Sequence, residues 1–186
     1  TDEIDLTQRL RKISSLPVVS ATLVKNNKDE IVARFILREN GHIFEQSVDS
    51  ATKKRISNTT ILRIQKALWL PDGEELIVQF VDEDSREIES FYEELSLEDN
   101  TEKESKLDGS FLERDILEIR APNGEDKIFY LVKSRSGVIG IVSEPNGDKK
   151  AQVFSSPLSG WKAKWQDGDK ISLTTKASSD VLGYMY

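Results

Sequence analysis

Residues 31–48 read IVARFILRENGHIFEQSV, and the architecture of the chain can be derived from this segment. Two apolar runs, Ile31 to Arg38 and Ile43 to Val48, flank Glu39-Asn40-Gly41. An Asn-Gly pair supplies the positive φ angles that a tight hairpin turn requires. The segment therefore predicts two antiparallel strands joined by a turn at Gly41.

The same pattern recurs 96 residues later, where 127–143 reads KIFYLVKSRSGVIGIVS. Ten residues are identical in the 43 columns from 27 to 69, whereas about two or three are expected by chance. The first-copy members of these pairs are Asn27, Gly41, Ile43, Ser47, Lys53, Lys54, Leu62, Lys66, Ala67 and Trp69. Solenoid repeats are only about 20–50 residues long. The longer period predicts a tandem duplication of two small, similar domains.

Further strands are predicted on either side of these hairpins, at Val18 to Lys25, Ile116 to Ala121, Ala151 to Phe154 and Lys170 to Lys176. The fold class is therefore mainly β, and each copy is expected to be a small barrel or sandwich of about five strands. Leu6, Leu10 and Ile13 follow helical spacing, which predicts one N-terminal helix that ends before Pro17.

Two segments have mixed signals. Residues 59–70 carry a helical apolar stripe, but the matching stretch of the second copy contains Pro157 and Gly160, which oppose a helix. Helix and strand both stay open for 59–70. Residues 86–97 place Ile88, Phe91, Tyr92 and Leu95 on one side of a second predicted helix.

Charge divides the chain in the same places as the repeat. Residues 1–81 and 105–186 each carry a formal charge of +1, whereas 82–104 carries −9. A polar, acidic stretch of this kind is typical of a solvated connector. We therefore expect a helix and first β-rich unit at 1–97, an acidic linker at 98–107, and a second β-rich unit at 108–186.

Composition excludes most familiar enzyme chemistries. The chain has no Cys and one His, which excludes thiol nucleophiles and sites with two imidazoles. It also lacks a Gly-rich phosphate loop and an apolar run of about 18 residues. His42, whose counterpart is Val138, is predicted to be a half-buried strand residue. We expect no enzyme, no metal and no cofactor.

One weaker enzyme alternative uses carboxylates. A metal-dependent hydrolase could bind its metal ion through four carboxylates that lie at Asp-Gly turns, namely Asp72, Glu74, Asp167 and Asp169. The same residues are frequent in hairpin turns, and turn formation is the favoured interpretation.

The most suggestive cluster is basic and aromatic, and it lies in the second copy. Residues 161–165 read WKAKW, so the two Trp and Ala share one strand face and the two Lys share the other. Trp165 matches Trp69 and is predicted to be core, but Trp161 matches the polar Gln65. The predicted binding residues are therefore Trp161, Lys149, Lys150, Lys162 and Lys164.

These observations favour a non-enzymatic binding module in which two tandem β domains engage another protein, because two linked sites raise avidity. The alternative is a nucleic-acid-binding accessory protein that uses the Lys/Trp patch, since stacked aromatics beside lysines suit single strands. No membrane association is expected, and the cytoplasm is the default location. The chain begins at Thr1 without an initiator Met, so we expect a processed or trimmed product.

Overall fold

The computed structural model describes residues 10, 12–57, 59–95, 108–122, 124–165, 168 and 170–175. These residues form fourteen strands and no helix, and thus no helix that could cross a membrane. The strands are β1 (Val18–Lys25), β2 (Ile31–Leu37), β3 (Ile43–Ser47), β4 (Lys53–Arg55), β5 (Ile64–Trp69), β6 (Glu75–Val81), β7 (Ile88–Glu94), β8 (Asp108–Phe111), β9 (Ile116–Arg120), β10 (Ile128–Ser134), β11 (Gly137–Ser143), β12 (Ala151–Ser156), β13 (Trp161–Trp165) and β14 (Ile171–Thr175).

The strands form four antiparallel sheets, in which strands that follow one another along the chain are neighbours. Sheet 1 contains β1 to β4, sheet 2 contains β5 to β8, sheet 3 contains β9 to β12, and sheet 4 contains β13 and β14. The prediction of a mainly β chain is confirmed. The barrel prediction is wrong for the described residues, because the first and last strands of each larger sheet lie at opposite edges.

The chain divides into two compact units. Unit 1 comprises Thr1–Val81 and Glu93–Asp108, and unit 2 comprises Asp82–Tyr92 and Gly109–Tyr186. The predicted linker at 98–107 lies outside the described residues. The predicted domain boundaries therefore stay a prediction.

Local turn chemistry explains the hairpins. Gly41 has a φ of 75° and Gly137 a φ of 139°, a region of backbone conformation that side chains other than Gly rarely adopt. Gly41 donates its N–H to the carbonyl of Leu37 at 3.0 Å, which closes the β2–β3 turn. At Gly137 a side chain is also excluded by space, because a Cβ would lie 2.1 Å from the carbonyl oxygen of Ser156. The turns predicted at both glycines are confirmed.

Each unit has its own apolar core. In unit 1, residues of sheet 1 pack with residues of β5 and β6; this core contains Ile36, Ile43, Ile61, Ile64, Trp69, Leu76, Val78 and Leu95. In unit 2, residues of sheet 3 pack with residues of sheet 4; this core contains Phe129, Leu131, Val138, Trp161, Ala163, Trp165 and Leu173. Burial of these side chains is the main driving force for folding each unit.

The structure corrects one helix prediction, decides one segment that was left open, and leaves most of a third segment outside the described residues. The helix predicted at 86–97 is wrong for the described residues, because Ile88–Glu94 is strand β7 with Phe91 and Tyr92 buried. Residues 90–93 are therefore buried rather than part of a solvated connector, whereas 83–88 are exposed. Residues 64–69 are strand β5, which resolves the ambiguity at 59–70. Most of the predicted N-terminal helix lies outside the described residues; Leu10, Lys12 and Ile13, which are described, are not helical.

Strand register repeats along the chain. The pair Ile36↔Ile43 of sheet 1 has the counterpart Val132↔Ile139 in sheet 3, 96 residues later. Trp69↔Leu76 likewise has the counterpart Trp165↔Ile171, with the single deletion that the sequence comparison requires. Equivalent positions can therefore be compared between the copies.

Candidate functional site

An apolar pocket of about 410 Å³ opens in unit 2 between sheet 3 and sheet 4. Seven of its eight lining side chains are aliphatic or aromatic; the lining residues are Lys127, Phe129, Val142, Val153, Phe154, Trp165, Ile171 and Leu173. The volume lies within the range of roughly 300–1,000 Å³ typical of ligand pockets. This pocket is the candidate functional site.

A β-bulge in strand β12 builds one wall of the pocket. The register changes from Gly140↔Phe154 to Ile141↔Gln152, so Val153 is the extra residue. Neighbouring side chains of a regular strand point to opposite faces, and a bulge can redirect one of them. Val153 and Phe154 accordingly both line the pocket. Val153 is 57% exposed.

Gly140 makes room for two aromatic rings of the pocket. A Cβ at this position would lie 2.9 Å from the ring of Phe129 and 2.9 Å from the Cβ of Phe154. Any larger residue would push at least one ring away from its present position. Gly140 therefore helps to set the shape of the pocket.

Trp165 forms the opposite wall and is held at both ends. Its backbone pairs with that of Ile171, and its indole N–H donates to the carbonyl oxygen of Gly168 at 2.7 Å. A buried indole N–H usually finds such a partner. The apolar face of the ring is thereby directed to the pocket while its polar atom is satisfied.

Lys127 is the charged residue of the lining. Its ammonium group lies 3.5 Å from a carboxylate oxygen of Glu125, and its side chain is 52% exposed. An exposed pair at this distance contributes little stability. Lys127 remains available to a negatively charged group of a ligand.

Trp161, a predicted binding residue, lies in the core of unit 2. It is 5% exposed, and its ring packs edge-on against Phe154 with centroids 5.2 Å apart. The expectation that Trp161 lies on a surface is therefore wrong, because its apolar body is covered by its own unit. Trp165, interpreted from sequence as core, lies both in the core and at the pocket wall.

The predicted lysines lie outside the pocket lining, and three of the four are paired with carboxylates. Lys149 lies 2.5 Å from Glu144, Lys150 lies 2.9 Å from Glu113, and Lys162 lies 3.1 Å from Glu118. Hydrogen bonds to Glu144 and Glu113 raise the pKa of Lys149 and of Lys150, respectively. Lys164 is exposed and has no carboxylate partner among the described residues. Whether these lysines bind a partner stays a prediction.

Of the four carboxylates of the hydrolase alternative, the structure describes Asp72 and Glu74, and that of Asp72 stabilises the turn. The side chain of Asp72 accepts the backbone N–H of Glu74 at 2.9 Å, as in an Asx turn. Asp167 and Asp169 lie outside the described residues.

His42 contacts the hydroxyl of Thr60 at 3.4 Å. In the described part of the chain, no group of three or more acidic or imidazole side chains could hold a metal ion.

Unit 1 has a polar residue at one position equivalent to the pocket wall. Val142 corresponds to Gln46, which is buried and donates to the carbonyl oxygen of Ser50 at 3.0 Å. Val153 has no counterpart, because the pairs Phe44↔Arg55 and Glu45↔Lys54 of unit 1 match Gly140↔Phe154 and Ile141↔Gln152 of unit 2. The pocket was not predicted from the sequence, although the change from Gln46 to Val142 was a signal for it.

Comparison with known proteins gives structural similarity alone. No protein-family model matches the sequence, and no curated protein matches it. The β-propeller domain of the Trilobed protease from Pyrococcus furiosus is similar over 83% of this chain and 48% of its own, with a TM-score of 0.48 and 11% identity. TolB from Acinetobacter baumannii is similar over 87% of this chain and 41% of its own, with a TM-score of 0.42 and 16% identity. This chain spans less than half the length of either structure.

Proposed function

We propose that the chain is a non-enzymatic protein-binding module and that the pocket of unit 2 receives an apolar side chain of the partner. The observation that carries the proposal is the lining: seven apolar side chains and one lysine surround an open volume of about 410 Å³. Apolar surface left open in this way lacks the stabilisation of burial and is typical of an interaction site.

The difference between the copies supports a role for the pocket beyond folding. We infer that the two copies arose by duplication, since the registers of β2–β3 and β5–β6 correspond to those of β10–β11 and β13–β14. Unit 1 has the buried Gln46 at the position of Val142 and satisfies it with an internal hydrogen bond. Unit 2 has the apolar Val142 there, and its bulge adds Val153, which is exposed. An exposed valine is not required for folding of the unit.

The nucleic-acid alternative has less support from the charges. Binding to a phosphate backbone depends on several uncompensated cations. Of the four predicted lysines, three already face carboxylates of their own unit. A partner protein with an apolar anchor fits the pocket better than a polyanion fits this surface.

Selection of random peptides displayed on a carrier tests the proposal directly. The full chain is the target, and Val153→Lys is the variant that places a charge at the pocket. Val153 is exposed, so the substitution should leave folding intact, which the melting temperature checks. We expect selected peptides to share a large apolar residue and to lose affinity by about tenfold or more on the variant, an effect of roughly 1.4 kcal/mol.

Leu117→Lys provides the matched control, because Leu117 is a strand residue of the same unit, is 47% exposed, and does not line the pocket. Peptides should bind this variant as they bind the unchanged chain. If no peptide is selected, or if Val153→Lys and Leu117→Lys have the same effect, the proposed function is wrong.

A further inference from the structure

Aromatic rings make up a large part of the pocket wall in unit 2. Three of its seven apolar side chains are aromatic, and each comes from a different strand: Phe129 from β10, Phe154 from β12 and Trp165 from β13. Aromatic rings attract one another, edge-on or offset-stacked, beyond the gain from burial alone. Phe154 already packs edge-on against Trp161, with centroids 5.2 Å apart. The pocket therefore suits an aromatic side chain better than an aliphatic one.

Lys127 adds a positive charge to this aromatic surface. Its side chain belongs to the lining and is 52% exposed, and a lysine of this kind buries its methylene stem while its ammonium group stays in water. Among the described residues, Glu125 is the one carboxylate within 4 Å of that ammonium group, at 3.5 Å. An exposed pair contributes little, so the carboxylate of a ligand can compete for Lys127.

Other lysines of unit 2 are held more closely. Lys149, Lys150 and Lys162 lie 2.5, 2.9 and 3.1 Å from their carboxylate partners. The partner of Lys149 is Glu144, which directly follows β11. Of these four ion pairs, that of Lys127 is the longest, and it is the one at the pocket.

The spacing of Lys127 and Phe129 matches that of an extended chain. Lys127 comes directly before β10, Phe129 is the second residue of that strand, and both line the pocket. Residues two positions apart in an extended chain share a face and lie about 7 Å apart. An extended partner segment has the same spacing between its own side chains. It can therefore place an aromatic ring in the pocket and a carboxylate at Lys127 at the same time.

We propose that the partner presents an extended segment in which an aromatic and an acidic residue are two positions apart. The aromatic ring fills the pocket beside Phe129, Phe154 and Trp165. The acidic side chain displaces Glu125 from the ammonium group of Lys127. This inference rests on the proposed function, since it specifies the chemistry of the segment that occupies the pocket.

The test uses peptides from the display selection on the full chain, which should share Phe, Tyr or Trp with Asp or Glu two positions away. Synthetic copies are acetylated and amidated at their ends, so that the acidic side chain is the carboxylate under test. Its replacement by the corresponding amide should lower affinity about threefold to fivefold, as expected for an exposed charge pair. On Lys127→Met, which removes the charge and keeps an unbranched side chain, the same replacement should have no effect.

Glu125→Gln should change affinity in the opposite direction. It removes the internal partner of Lys127, so the acidic peptides should bind about twofold more tightly. Glu113→Gln is the matched control, because it changes the net charge equally and releases Lys150, which does not line the pocket. The control should bind these peptides as the unchanged chain does. Melting temperatures check that all three variants fold.

The outcomes separate this inference from the proposed function. Peptides that lose affinity on Val153→Lys but share no aromatic and acidic pair would overturn the inference and leave the proposed function in place. The same holds if the amide replacement acts equally on the unchanged chain and on Lys127→Met, if Glu125→Gln and Glu113→Gln act equally, or if binding requires a free terminal carboxylate. If the selection yields no peptide sensitive to Val153→Lys, both proposals are wrong.

Discussion

Glu93 is a buried carboxylate whose partners in unit 1 are the neutral hydroxyls of Ser57 and Thr59. Burial raises the pKa of Glu93 above its ordinary value of 4.5, against the smaller opposing effect of the two hydroxyls. The folded chain therefore holds this proton more tightly than the unfolded chain. The stability that Glu93 contributes is complete below pH 4.5 and is lost as the pH rises through its raised pKa.

Glu93→Gln should therefore raise the melting temperature at pH 7. The amide oxygen can still accept both hydroxyl hydrogen bonds, while the charge is gone. We expect the difference between variant and unchanged chain to grow as the pH rises above 4.5 and to shrink below it. Glu94→Gln, at the exposed neighbouring position, is the control. A stabilisation by Glu93→Gln that is the same at every pH would contradict the interpretation.

Arg34 carries the second buried charge of unit 1. Its side chain is 2% exposed; Nε donates to Glu45 at 2.8 Å and Nη1 to the carbonyl oxygen of Gly73 at 3.0 Å. Glu45→Ala leaves the guanidinium buried without its carboxylate, which should cost about 3 kcal/mol in the free energy of unfolding. Removing both charges with Arg34→Met and Glu45→Leu together should cost less. Urea unfolding that finds the double variant at least as unstable as Glu45→Ala would count against this account.

At the scale of the element, Gly140 of strand β11 leaves room for the aromatic wall of the pocket, which Phe129 of β10 and Phe154 of β12 supply. Gly140→Ala should destabilise unit 2 by about 2 kcal/mol, because the added methyl group overlaps the ring of Phe129 and the Cβ of Phe154. Gly124→Ala separates crowding from backbone strain: Gly124 has a φ of 79°, and a methyl group there would meet nothing within 4 Å, so its cost should be only about 1 kcal/mol. Equal losses in urea unfolding would show that Phe129 and Phe154 move aside freely.

Strands bounded by tight turns could be predicted from sequence, whereas strands with helix-like spacing could not. The β2–β3 and β10–β11 hairpins follow from local chemistry at Gly41 and Gly137. Strand β7 has apolar residues at helical spacing and many acidic residues, yet Phe91 and Tyr92 are buried. Its state depends on pairing within sheet 2, which no local pattern contains. Whether a sheet closes into a barrel likewise depends on pairing between strands that are distant in sequence, which no local pattern contains.

The candidate site was harder to predict than the strands. A Trp present in one copy suggested a contact surface, but Trp161 fills core space beside Phe154. The pocket instead arises where a bulge brings Val153 and Phe154 to the same side, and bulges leave little trace in a single sequence. Only comparison of the copies, with the polar Gln46 at the position of Val142, pointed towards it.

At the scale of the whole molecule, charge separates the two classes of partner. The chain has a net charge of −7 and an isoelectric point near 4.9, so its overall field repels polyanions. A peptide anchored in the pocket uses one or two lysines beside an apolar contact. Its affinity should therefore fall by about tenfold or less between roughly 50 and 200 mM salt, whereas about 6–10 phosphate contacts would lose roughly 10³–10⁵.

Salt titration of the selected peptide and of a single-stranded oligonucleotide, followed by calorimetry, measures both responses on the same chain. Apolar burial gives a negative heat-capacity change on binding, and this signature should persist at high salt because screening acts on charges and not on the pocket. We expect it for the peptide, together with the shallow salt dependence. Tight oligonucleotide binding with a steep salt dependence would instead indicate that the lysines outside the pocket carry the function, since Lys127 is the single cation of the lining and its other seven side chains are apolar.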